Sequence, residues 1–313
     1  MRIAFFGTPG AAVPYLAALM RSPHEVCVVV TQPDRVAGRG RELRPPAVKS
    51  AAQARALCLL QPETCRAEEF TEAFRACRPE IGVVVAYGQI LPPSVLACPP
   101  RGCLNVHYSL LPALRGAAPV QQALLQGLDE TGVTVQWMAE QLDAGDIVLQ
   151  ERVPVESDDN QTTLFERMAT VGVPLLLKAL ELIEVGEAPR APQDSTRATW
   201  APELTAEQCR IDWSRSAEEI RDLVRACHPK PGAYTYRRGR RLKVVAVEVV
   251  REIPASDEGH TAGHVELDST GRLVVKAGNG AVALVGVQPE GRRAMSGAEH
   301  ARGARFSAGE KLE

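Results

Sequence analysis

Asn105 and His107 stand two residues apart in the run CLNVHYSLLPALRGAAP, residues 103–119. If that run opens as a β-strand, both side chains leave the same face and Val106 points to the other. An acidic, turn-rich stretch, Gln141-Leu142-Asp143-Ala144-Gly145-Asp146, follows a later apolar segment. An amide, an imidazole and a carboxylate at one sheet edge suit acyl transfer. Asn105 and His107 can stabilise a developing oxyanion, and Asp143 can orient the imidazole or move protons. No covalent nucleophile is needed when the substrate brings its own amine. On spacing alone, a single strand histidine is more often structural than catalytic, and Asp143 could simply brace its loop. Other chemistries find no footing. The sequence has no GxSxG elbow, no GxxxxGK[ST] loop, no HExxH and no His/Cys/carboxylate cluster with metal-ligand spacing, so no metal is expected. Gly7 and Gly10 alone do not make a dinucleotide fingerprint and read as a tight strand-to-helix turn.

The elements that must position these groups are legible as alternation. Apolar runs at Arg2–Phe6, Glu25–Thr31, Leu57–Gln61, Ile81–Ala86, Cys103–His107 and Val133–Met138 are interleaved with helix-like segments at Ala11–Met20, Val48–Ala56, Glu68–Ala76 and Pro119–Gly127. Continuous apolar strands between helices predict a doubly wound, mostly parallel α/β sheet covered on both faces, closing with a helix near Thr163–Val185. Such sheets collect reactive groups at the carboxyl ends of their strands, where Asn105 and His107 would lie. The stretch after that helix carries Pro189, Pro192 and Pro202 without periodicity and reads as a linker. The predicted organisation is a catalytic domain over 1–188, a linker over 189–205 and a second domain over 206–313. One helix at Ala217–Cys227 opens the second domain. Short strands at Ala233–Arg237, Arg241–Val250, His264–Leu267, Leu273–Lys276 and Val282–Val287 then predict a small antiparallel barrel.

Composition sets the outer bounds. At 313 residues, 45% hydrophobic and 24% charged, the chain is long enough for two cores. A net charge of −2 argues against non-specific coating of nucleic acid, although residues 206–313 carry a balance of +3 and the remainder −5. Eight scattered cysteines, with no CxxC pair, point to reduced thiols and a cytoplasmic setting. No apolar run approaches the ~18 residues of a membrane span. Met1-Arg2 leads straight into a strand, so neither a secretory leader nor a membrane partner is expected. Nothing in the sequence demands a dimer, and a monomer is expected. Two basic stretches stand out: Arg35, Arg39, Arg41 and Arg44 in a glycine-flexed loop, and Arg240 and Arg241 within RRGRRLK at a predicted hairpin turn. One such run alone reads as a solvated loop. Two runs on separate domains suit a shared polyanionic partner.

The motifs FFGTPG, TQPDRVAGRG, VVVAYGQILP, LNVHYSLLPALRGAAPVQQALLQG, TGVTVQWM and LDAGDI, continued by RIDW, HPKPGAY and VQPEGRRAM, run over essentially the whole chain. Together they resemble the methionyl-tRNA formyltransferase family. The NVHxSLLPxxRGAAP segment is the part shared by folate-dependent formyltransferases generally. The resemblance implies transfer of a formyl group from 10-formyltetrahydrofolate to the α-amine of methionine on initiator tRNA, for translation initiation. It maps a catalytic trio onto Asn105, His107 and Asp143. It implies folate contacts at Ser109, Leu110, Leu111 and Pro112, and a pterin held around Tyr87, Gln89, Ile90 and Leu91. It also implies tRNA contacts by the arginine loop and an OB-like second domain. Tyr108 falls where close relatives are expected to carry glycine, and is expected to add bulk beside the trio.

Overall fold

Apolar, β-branched runs become strands and the amphipathic segments between them become helices. The computed structural model describes residues 1–37, 42–250, 261–304, 306 and 310–313. The first half runs through β1 (Arg2–Gly7), α1 (Val13–Arg21), β2 (Glu25–Val30), β3 (Arg35–Ala37), β4 (Glu42–Arg44), α2 (Ala47–Gln53), β5 (Leu59–Leu60) and α3 (Glu68–Ala76). It continues with β6 (Ile81–Val85), α4 (Pro93–Leu96), β7 (Cys103–His107), α5 (Pro119–Leu125), β8 (Glu130–Trp137), β9 (Ile147–Pro154) and α6 (Gln161–Val185). After these come α7 (Ala217–Cys227), β10 (Tyr234–Arg237), β11 (Arg240–Val250), β12 (Val265–Leu267), β13 (Leu273–Lys276), β14 (Ala281–Pro289), β15 (Met295–Ser296) and α8 (Gly297–Ala304). Packing divides them into two units. The first is Met1–Gly116, Thr131–Pro154 and Phe165–Trp200; the second is Ala117–Glu130, Val155–Leu164 and Ala201–Glu313.

In the first unit seven strands form one sheet in the order β5-β2-β1-β6-β7-β8-β9. The five from β5 to β7 are mutually parallel. β6 is buried at every position, as a strand covered on both faces must be. Strand order reverses between β1 and β6, and open sheets of this kind form their crevice at the carboxyl ends beside such a reversal. There the Thr8 hydroxyl donates to the Tyr87 carbonyl at 2.7 Å, tying the turns after β1 and β6 together.

β8 departs from the parallel series. It runs antiparallel to β7, with Asn105 opposite Gln136 and His107 opposite Thr134. A parallel return needs a crossover helix packed on the same sheet. The intervening helix α5 instead clusters with α7 in the second unit, so the chain re-enters beside β7 in the opposite sense. The basic loop after β2 also gains structure: β3 and β4 pair with Arg35 opposite Arg44 and Val36 opposite Leu43. The predicted contacts Arg39 and Arg41 lie outside the described residues.

The second unit carries an antiparallel sheet in the order β10-β11-β14-β13-β12, with β15 added to β14, curled as a half-barrel. Its core gathers Trp213, Ile220, Val224, Leu273, Val282 and Leu284. α7 begins with a complete capping box. The Glu219 N–H donates to the Ser216 hydroxyl at 3.2 Å, and the Ser216 N–H donates to the Glu219 carboxylate at 2.9 Å. No helix among the described residues is long and apolar enough to cross a membrane.

Candidate active site

The carboxyl end of β7 and the loop after β8 meet at one carboxylate. Asn105 Nδ2 donates to Asp143 Oδ1 at 3.3 Å, and Gln136 Nε2 donates to the same oxygen at 3.1 Å. Gln136 can do so because it sits directly across from Asn105, where opposed side chains share a face. The Gly116 N–H donates to Asp143 Oδ2 at 2.9 Å, and His107 Nδ1 lies 3.6 Å from that oxygen. The other ring nitrogen, Nε2, is 2.8 Å from the Leu114 carbonyl. A carbonyl can only accept, so Nε2 carries the hydrogen and Nδ1 is the nitrogen turned towards the carboxylate. The three groups singled out by residue type and spacing therefore converge, and His107 is buried among them.

Two backbones at this junction are held in the left-handed region, Asp143 at φ +49° and Leu114 at φ +57°. Aspartate tolerates that conformation better than leucine does, and such residues persist where their surroundings over-determine them. Leu114 is fixed at both ends: its N–H donates to Thr199 Oγ1 at 2.8 Å and its carbonyl faces His107. Gly145 closes the Asp143 loop so tightly that a Cβ there would run into the Trp137 carbonyl.

Behind the trio lies a set of polar groups that the sequence analysis does not single out. Arg115 is 2% exposed, and its Nε and Nη2 donate to Gln193 Oε1 at 3.1 and 2.7 Å. Gln193 Nε2 in turn lies 2.9 Å from the Asp143 carbonyl, 2.7 Å from the Gly145 carbonyl and 3.1 Å from Gln136 Oε1. A sequence signal for Gln136 does exist. Thr134 and Gln136 are polar at alternate positions among the buried apolar residues Val133, Val135 and Trp137.

The expected folate contacts take up two kinds of position. Ser109, Leu110, Leu111 and Pro112 form the turn after β7, pinned by Thr134: its hydroxyl donates to the Ser109 carbonyl at 2.6 Å and accepts the Leu111 N–H at 3.2 Å. Gln150 Nε2 donates to the Leu111 carbonyl at 2.8 Å, and Leu110 packs over Gly132. After β6, the Tyr87 ring packs edge-on against Phe6 and its hydroxyl lies 3.1 Å from Cys65 Sγ, so Tyr87 offers the sheet edge only its backbone. The Gln89 side chain accepts the Cys65 N–H at 2.9 Å, Leu91 is buried, and Ile90 is 69% exposed.

Tyr108 does not crowd the trio. It points to the opposite face of β7, where its hydroxyl donates to Tyr15 at 3.1 Å and its ring lies 4.4 Å from Phe165. Burial pushes both phenols well above their ordinary range.

The arginines fall into separate settings. Arg35 and Arg44 are exposed and face each other across the β3–β4 ladder, with the Glu63 carboxylate 3.6 Å from the Arg35 guanidinium. In the second unit Arg240 and Arg241, with Arg237, Arg292 and His300, line a cavity of about 390 Å³. The Arg241 guanidinium lies 3.7 Å over the Tyr234 ring.

A mostly parallel α/β sheet that brings an amide, an imidazole and a carboxylate to one strand end, followed by an antiparallel half-barrel, defines a class. Residues 1–180 match the formyl transferase family and residues 203–305 match the formyl transferase C-terminal domain, so the chain belongs to the formyl transferase family. It is 45% identical over 312 residues to a methionyl-tRNA formyltransferase of Moorella thermoacetica, covering 100% of this chain and 99% of that one. To the methionyl-tRNA formyltransferase of Bacillus subtilis it is 40% identical over 311 residues, 99% and 97% of the two chains. Among solved structures, HypX from Aquifex aeolicus in complex with tetrahydrofolic acid aligns at TM-score 0.68 and 19% identity, over 99% of this chain and 48% of that one. A sugar 3N-formyl transferase, WlaRD, solved with dTDP and 5-N-formyl-THF, aligns at TM-score 0.68 and 15% identity, over 94% and 99%. Those two likenesses are of fold.

Proposed function

We infer that this chain is a methionyl-tRNA formyltransferase, taking its formyl group from 10-formyltetrahydrofolate and placing it on the methionyl amine of initiator tRNA. The observation that carries the chemistry is the meeting of Asn105, His107 and Asp143 at the carboxyl end of β7. Full-length likeness to methionyl-tRNA formyltransferases carries the substrate. The surroundings suit a flat pterin with polar edges. The turns after β6 and β8 leave Ile90 and Leu142 exposed, at 69% and 51%, as apolar surface that a flat ring can cover.

When bound, the folate supplies the formyl carbonyl that the amine attacks. Asn105 spends one amide hydrogen on Asp143, and its second N–H is the donor for negative charge developing on the formyl oxygen. His107 has Nε2–H occupied by the Leu114 carbonyl, so Nδ1 takes the proton leaving the amine, directly or through water. The imidazolium so formed lies 3.6 Å from Asp143 Oδ2, which stabilises it. It returns the proton to the folate nitrogen as the bond from that nitrogen to the formyl carbon breaks, so that tetrahydrofolate leaves as a neutral amine. Asp143 is itself held by the Gln136 and Gly116 N–H groups, so it holds its place while the proton moves.

Arg35 and Arg44 on the β3–β4 hairpin, and Arg240 and Arg241 on the second unit, are read as phosphate contacts, with Arg39 and Arg41 joining the first group on the sequence. Converting Arg35 and Arg44 together to alanine is expected to make log(kcat/KM) for tRNA fall less steeply with log[salt], by about one unit of slope per lost phosphate contact. An unchanged slope reduces the hairpin to solvated surface. The chain is read as a cytoplasmic monomer, with sedimentation velocity as the check.

The function itself is tested by incubating the protein with 10-formyltetrahydrofolate and either methionyl-tRNA or small amines. Formylmethionyl-tRNA should accumulate and the small amines should stay unmodified. Preference for a sugar nucleotide or another small amine would move the chain to a different branch of the family.

A further inference from the structure

Among the described residues the buried Arg115 has no carboxylate partner. Both of its side-chain hydrogen bonds end on Gln193 Oε1, and no ion pair to it occurs among the described residues. A guanidinium this deeply buried is ordinarily neutralised by an acid. Here its charge is directed instead into a neutral amide. That amide faces three acceptors on its other side: the Asp143 carbonyl, the Gly145 carbonyl and Gln136 Oε1. Charge-assisted donation to one end of an amide polarises it and makes the N–H groups at the other end stronger donors. The acceptors are no arbitrary set. Asp143 carries the carboxylate of the trio on a left-handed backbone, Gly145 closes its loop, and Gln136 donates to the carboxylate itself.

We propose that Gln193 is a positioning residue for formyl transfer, transmitting the buried charge of Arg115 to the loop and the amide that hold the Asp143 carboxylate. This rests on the reading of the chain as a formyltransferase that uses Asp143. Among the described residues Gln193 makes no hydrogen bond to the carboxylate or to His107. It fixes the backbone from which the carboxylate is presented and sets the orientation of Gln136, whose oxygen it occupies so that the nitrogen points at Asp143 Oδ1. Misplacement of a catalytic group by about 1 Å costs on the order of 10²-fold in rate.

Two substitutions separate the donor from the packing. Gln193→Glu keeps the shape and the acceptor for Arg115, but sets a carboxylate oxygen against two carbonyls and the Gln136 oxygen. Gln193→Met keeps the volume and removes both functions. For each, kcat for formylation of methionyl-tRNA is expected to fall about 10- to 100-fold, with KM for both substrates within about twofold and tetrahydrofolate bound as by the wild type. Arg115→Lys, which retains the cation without the two-nitrogen clamp, is expected to fall in between. Its kcat decides the matter if neither Gln193 variant folds. The proposal is overturned if kcat stays within about twofold of wild type. It is also overturned if the loss tracks a smaller folded fraction or weakened tetrahydrofolate binding, which is what support of the fold alone would produce. Wild-type protein assayed alongside keeps the claims apart. A wild type that does not formylate methionyl-tRNA overturns the functional reading; an active wild type with unimpaired variants overturns only the role of Gln193.

Discussion

At the scale of single residues, the chemistry is assigned by which atoms are already occupied. His107 gives its Nε2–H to a carbonyl and turns Nδ1 to a carboxylate, so the proposed reaction uses it at Nδ1. His107→Asn should therefore lose about 10²-fold in kcat, since no base remains at that position to take the proton. An unaltered kcat would leave the ring as a spacer for Leu114. Asn105 and His107 are readable in the sequence because a strand's period of two puts them on one face, and Asp143 because a turn-rich acidic loop follows a strand. Arg115 and Gln193 are not readable in the same way. Arg115 sits in a loop motif among small residues, and Gln193 lies in a proline-flanked stretch whose lack of periodicity resembles a linker. That stretch is in fact tied down. Ile147 and Ala191 exchange backbone hydrogen bonds at 2.8 and 3.1 Å, and the Trp137 indole donates to the Pro189 carbonyl at 3.2 Å.

At the scale of elements, the site depends on a strand reversal and a tight loop. β8 had to run antiparallel for Gln136 to stand opposite Asn105; a parallel neighbour would have brought a different register and a different residue. Alternation of apolar and polar residues locates β8 but carries no information on its direction, because that is set by where the intervening helix packs. β9 escapes the same reading since Gln150, Glu151 and Arg152 interrupt its apolar pattern, as an edge strand permits. The loop after β8 has one strict requirement. Gly145→Ala would set a methyl group against the Trp137 carbonyl, and the backbone carrying Asp143 would have to move. The expected outcome is a stability loss of about 1–3 kcal/mol by denaturant unfolding, together with a kcat reduction at unchanged KM for tRNA. A fully active variant would show that the loop tolerates displacement of its carboxylate.

At the scale of the whole molecule, the proposed function assigns the reacting amine to the sheet edge and the substrate's phosphates to the arginine-lined surfaces. The second unit has a pH response of its own. Burial first, then the Arg237 and Arg292 charges, hold the His300 imidazole below its ordinary value, and its Nε2 has no hydrogen-bond partner among the described residues. The unfolded chain protonates this ring near pH 6.5 while the folded chain resists. Its effect on stability is thus nil well above that pH and becomes a loss as the pH falls through about 6.5 and below. Urea midpoints at pH 7.5 and 5.5 should drop less for His300→Phe than for the wild type; equal drops would place the acid sensitivity elsewhere. Formyl transfer as proposed turns on the amide, imidazole and carboxylate acting together on a carbonyl under attack by an amine. Its most direct test is the single-turnover rate of Asn105→Ala with methionyl-tRNA and 10-formyltetrahydrofolate both saturating. Loss of one oxyanion donor predicts a rate about 10²–10³-fold below wild type in a variant whose unfolding midpoint is unchanged. A rate equal to wild type would contradict it.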